Sequence, residues 1–127
     1  MKVIRIEYKT RNVTGVMELD IKMFFPCTLQ AAKKIAPLIN QGCTEEDRSE
    51  LLLELHSMAE SFQKDVQENK DMLKELKRHY AMMGSMAKPD FKAMKRCEIE
   101  IRKAETLKKR VEKNIKLIEE GERNGKI

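Results

Sequence analysis

Residues 94–119 read MKRCEIEIRKAETLKKRVEKNIKLIE, and a seven-residue repeat runs through them from end to end. With Met94 as position a, the other a-positions are Ile101, Lys108 and Ile115, and d holds Cys97, Ala104, Val111 and Ile118. Position e is Glu98, Glu105, Glu112 and Glu119, while b is Lys95, Arg102, Lys109 and Lys116. Position c adds Arg96, Lys103 and Arg110. An apolar seam flanked by fixed charges is how a helix specifies a packed partner helix.

The partner lies earlier in the chain. Leu51, Leu55, Met58, Phe62, Val66, Asn69, Leu73, Leu76, Tyr80 and Met83 follow helical steps of four and three, so a long helix is expected over 45–83. Two consecutive fours, at Phe62 and Val66, form a stutter. Gly84, Ser85 and Pro89 break the pattern, and Pro89 suits the first position of a last helix ending near Glu120, with Gly121 as its stop. Folding the two helices antiparallel puts Met83 opposite Met94, Tyr80 opposite Cys97, Leu76 opposite Ile101 and Leu73 opposite Ala104. Asn69 then meets Lys108 in one polar layer, and Glu98 and Glu105 face Lys77 and Lys70.

The N-terminal third has another period. Ile4, Ile6 and Tyr8 alternate with Arg5, Glu7 and Lys9, and Met17, Leu19, Ile21 and Met23 alternate with Glu18, Asp20 and Lys22. Two strands, 2–9 and 16–25, joined by a turn through Asn12 and Gly15, make a β-hairpin ended by Pro26. Thr28 caps a short helix over 29–40, kinked at Ala36 by Pro37 and closed by Gly42, and Thr44 caps the long helix. Two strands alone are marginal in water, so they need a surface to rest on. Leu52, Leu53 and Leu117, which lie off the seam, supply it.

The expected fold is therefore mainly α, of α+β class. The β-hairpin and kinked helix (1–43) pack at the open end of a long antiparallel helical hairpin (44–121), followed by a flexible tail (122–127), all as one structural unit.

Composition narrows the function. Charged residues make up 37% and aromatics 5%, a profile of helix-rich chains with thin cores. The charged start MKVIRIEYKT lacks the apolar stretch of a signal peptide, and no apolar run reaches the length of a membrane helix, so the expectation is a cytoplasmic protein without membrane contact. Cys27, Cys43 and Cys97 have no zinc-ligand spacing and read as reduced thiols. His56 and His79 lie beside the seam, far apart, without a nucleophile or ligand at working distance in sequence. The five glycines are scattered through turns, so no phosphate loop is present. No catalytic, cofactor or metal residue and no small-molecule substrate is expected.

Two sites are. The connection between the long helices carries Tyr80, Met82, Met86 and Phe91, and methionine suits a surface that accepts a protein partner or a second copy of the chain. The alternative is that these residues merely close the end of the coiled coil. The second site is the basic stripe of Lys95, Arg96, Arg102, Lys103, Lys109, Arg110 and Lys116. Residues 88–116 hold 11 Lys or Arg against 5 acids, whereas 44–87 hold 6 against 10. The stripe suits phosphates or an acidic protein, but no aromatic residue interleaves with it, which argues against base stacking. Its plainer reading is a solvated face. The sequence thus favours a non-enzymatic protein-interaction module. The alternative is a nucleic-acid-associated protein, or an occluding inhibitor of a nucleic-acid enzyme of phage or mobile-element type.

Overall fold

The computed structural model describes residues 2–9, 11–83 and 90–121. The helix breakers Gly84, Ser85 and Pro89, the site residue Met86, the side chain of Met83 and the tail 122–127 lie outside that description. The elements are β1 (Val3–Lys9), β2 (Thr14–Asp20), α1 (Ile21–Phe24), α2 (Leu29–Gly42), α3 (Glu45–Met83) and α4 (Phe91–Glu120). The protein is mainly helical, with an N-terminal antiparallel hairpin and a long pair of helices packed together. No described helix is long and apolar enough to cross a membrane.

The chain divides into two compact units, one of residues 1–59 with 109–127, the other of residues 60–108. In the first, β1 and β2 pair with Ile4 opposite Leu19 and Ile6 opposite Met17. Ile4, Ile6 and Leu19 turn inward, as their alternation requires. They join Ile35, Ile39, Leu51, Leu55, Val111, Ile115 and Ile118 in the core. The hairpin and α2 thus rest on the start of α3 and the end of α4, the open end of the helix pair.

Three sequence expectations shift here. The second strand stops at Asp20 instead of reaching residue 25, because the Asp20 carboxylate accepts hydrogen bonds from the Lys22 and Met23 amides (3.1 and 3.3 Å) and caps the single turn α1. Ile21 stays buried, but Met23 swings out to solvent. Gly15, expected in the turn, lies within β2 opposite Tyr8. The helix α2 runs as one element through Pro37, which sits on its exposed side.

The caps follow the sequence. Thr28 accepts from the Ala31 amide (3.2 Å) and Thr44 from the Asp47 amide (3.1 Å). For α4 the cap is Asp90, whose carboxylate accepts from the Ala93 amide (3.0 Å), so the helix starts at Phe91, two residues later than Pro89 at its first position would have placed it.

In the second unit the seam is visible as burial: Val66, Cys97 and Ala104 are buried, while Leu73, Leu76, Met94 and Ile101 are half-buried. At the expected Asn69–Lys108 layer, each of the two residues hydrogen-bonds to another partner. The Lys108 ammonium donates to Gln63 (2.7 Å) and the Asn69 amide donates to the Asp65 carbonyl (2.8 Å) of its own helix. Glu98 and Glu105 make no ion pair among the described residues. The pairs that form on these stretches are Arg78–Glu75 and Lys103–Glu100, each within one helix. Exposed pairs across a helix interface gain little over water, so register here rests on the apolar seam.

Candidate functional site

Three polar devices hold the first unit, and none is a heptad feature. Asn114, 1% exposed, works as a surrogate strand. Its carboxamide oxygen accepts from the Cys27 amide (2.9 Å), and its nitrogen donates to the Cys27 carbonyl (3.1 Å). Both backbone groups of the link before α2 are thereby satisfied without water. Arg48 donates through Nε to Asn40 Oδ1 and through Nη2 to the Ile118 carbonyl, both at 2.9 Å. A cation is thus placed on the carbonyl end of α4, where the helix dipole favours it. Lys2 bridges Glu54 (2.7 Å) and Glu50 (3.7 Å). Hydrogen bonding to Glu54, then its charge, raises the Lys2 pKa, and the same hydrogen bond draws Glu54 below the usual carboxylate range.

All three cysteines are buried and none is in a disulfide. Burial pushes the Cys27 thiol up, opposed in part by its backbone hydrogen bond and the Arg110 charge. His56 lies 3.6 Å from Glu119 on the surface, and His79 is exposed. No group of three or more His, Cys, Asp or Glu side chains among the described residues could hold a metal ion. An open cleft of about 830 Å³ lies between the hairpin and the α2–α3 junction, where the Arg5 amide donates to the Asp47 carboxylate (3.2 Å).

The sequence-derived tip residues fall on either side of the connection 84–89. Tyr80 is 41% exposed, Met82 75% and Phe91 70%. Tyr80 also stood in the expected seam, opposite Cys97. Cys97 is buried there, but Tyr80 is only partly covered, because a pair of helices offers too little width to enclose a large side chain.

The basic stripe occupies the outer positions of α4. In the second unit Lys95, Arg96, Arg102 and Lys103 are exposed, with Lys103 reaching Glu100 at 3.8 Å. In the first unit Lys109 and Lys116 are exposed and Arg110 is half-buried. Two further exposed cations, Lys92 and Lys113, share the outer face at position f. The repeat itself carried that signal, since f lies between b and c around the helix. Position f also places Ile99, 41% exposed, among the cations of the second unit. Ile99 lines a shallow groove of about 390 Å³ with Lys92, Lys95, Arg96 and Glu100.

No protein-family model, no curated protein and no solved structure matches this chain.

Proposed function

We propose that the chain is a non-enzymatic protein-interaction module that docks a protein partner, or a second copy of itself, through the connected end of its two long helices. One observation supports the reading: Tyr80 and Met82 near the end of α3 and Phe91 at the start of α4 are each exposed. Large apolar side chains concentrated in so short a stretch favour contact with another surface. Methionine adapts to the shape it meets, and the aromatic rings supply rigid area. Self-association is tested by sedimentation velocity across a range of protein concentration. A species heavier than the monomer that disperses in Met82→Ser/Phe91→Ser, with helicity unchanged, supports the second-copy form. An assembly indifferent to both substitutions removes the tip from consideration.

A second reading is favoured by the outer face of α4, whose b, c and f positions from Lys92 to Lys116 carry cations and no acid. Such a face suits a phosphate backbone, as in a nucleic-acid-associated protein or an inhibitor that occludes a nucleic-acid enzyme. Fluorescence anisotropy with a mixed-sequence duplex tests it. Binding that falls steeply with salt and disappears when Arg102, Lys103, Lys109 and Arg110 become Gln supports this reading. Salt-sensitive binding retained in that variant excludes the stripe.

A further inference from the structure

We propose that the groove over Ile99 on α4 receives an acidic amphipathic helix of a partner protein, with one apolar side chain seated on Ile99 and carboxylates against the surrounding cations. The inference goes beyond the tip reading: it places a second protein contact on α4 and assigns that face to a protein instead of a nucleic acid.

Ile99 sits at position f, on the side of α4 turned away from the seam. A single exposed isoleucine is ordinary on a protein surface. This one is ringed: Lys92, Lys95 and Arg96 precede it by seven, four and three residues, and Arg102 and Lys103 follow by three and four. Residues at those spacings are neighbours on one helix face. Only Lys103 among them has an ion-pair partner among the described residues, the exposed Glu100. Lys92, Lys95 and Arg96 therefore present their charge to whatever approaches the groove that they line with Ile99 and Glu100, three cations against one acid.

The occupant follows from this mixture. A phosphate backbone would meet the cations but gain nothing from the isoleucine, and none of the side chains lining the groove is aromatic, so a nucleic-acid base has nothing within it to stack on. An acidic helix with carboxylates three, four and seven residues apart meets the same cations, and its apolar stripe covers Ile99. The charged rim would steer the encounter, and the dry centre would slow dissociation.

The test uses the full chain and three probes: a synthetic amphipathic peptide with Glu on one face and Leu on the other, its Leu→Ser counterpart, and a mixed-sequence DNA duplex. The Leu peptide is expected to bind better than its Ser counterpart. Ile99→Ser, a surface change that leaves the fold intact by circular dichroism, is expected to weaken the Leu peptide about fivefold and to leave DNA affinity where it was. Lys95→Gln/Arg96→Gln is expected to weaken the peptide about tenfold or more at low salt. Equal binding of both peptides, indifference to Ile99→Ser, or preference for the duplex overturns the proposal. Peptide affinity is expected to be unchanged in Met82→Ser/Phe91→Ser. A protein that ignores the peptides yet still assembles through the tip would sink this proposal alone and leave the interaction-module reading standing.

Discussion

Asn114 shows how one side chain decides a local fold. It satisfies the amide and the carbonyl of Cys27 at once, in a place where water does not reach. Asn114→Ala strands both groups, and each unpaired buried backbone group costs about 1–3 kcal/mol. The expected loss, read from the urea midpoint, is about 2–6 kcal/mol in total, well beyond that of an exposed substitution on α4 such as Thr106→Ala. The cysteines answer to the same burial. With all three covered, iodoacetamide is expected to label none in the native protein and three after unfolding, as counted by intact mass. Native labelling at Cys27 would contradict its enclosure. Glu54 behaves oppositely in pH. Its carboxyl is drawn down by Lys2, so the stability it lends is present above the usual carboxylate pKa and is lost as pH falls through the lowered value. The gap in melting temperature between wild type and Glu54→Gln is therefore expected near neutrality and to close in acid. A gap that persists unchanged in acid would assign it to something other than the Lys2 pair. Lys2 has the reverse sign: its raised pKa lends stability below its ordinary value, lost only as pH rises through the higher one.

The elements were legible wherever a period or a cap wrote them. The heptad foretold the burial of Cys97, Ala104, Val111, Ile115 and Ile118, and Thr28 and Thr44 cap the helices expected of them. What escaped was tertiary. The alternation of Met17, Leu19, Ile21 and Met23 runs past the end of the strand, because period two does not record that Asp20 will cap a turn. Arg48, Asn40 and Asn114 are polar residues without periodicity, so their buried partners, on distant elements, leave no trace in sequence. Gly42 was legible as a stop but not in its main role. A Cβ at that position would run into the carbonyl of Glu7, so the end of α2 approaches β1 more closely than any side chain allows. Gly42→Ala should raise helix propensity yet lower stability, by about 1–3 kcal/mol, since backbone cannot move aside. Gly121→Ala meets the amide of Asn40, a buried side chain that Arg48 holds in place, so it too should lower stability, by about 1–3 kcal/mol. Thermal melts of both variants check this, and an unchanged melting temperature in Gly42→Ala would mean that the contact of α2 with β1 is looser than described.

At the scale of the molecule, the distribution of burial sets what can move and what can bind. Val66, Cys97 and Ala104 are the buried apolar residues of the second unit among those described, while the rest of the core belongs to the first. Stability against local opening follows buried apolar contact, so it should not be uniform along α3 and α4. Amide hydrogen exchange is expected to be slowest around Leu51, Leu55, Val111 and Ile118. It should quicken along both helices toward Tyr80 and Phe91, although every one of these amides lies in a helix. Uniform protection would mean that the seam carries more of the stability than its half-buried Leu73, Leu76 and Ile101 suggest. The same gradient gives binding a readout. A partner on the tip would slow exchange near Tyr80 and Met82, where opening is cheapest, and one on the Ile99 groove would slow it from Lys92 to Lys103. In both cases the slowing should exceed any change around Leu51 and Val111. A ligand that protected the well-buried unit alone would place binding at neither surface and turn attention to the cleft beside Arg5 and Asp47.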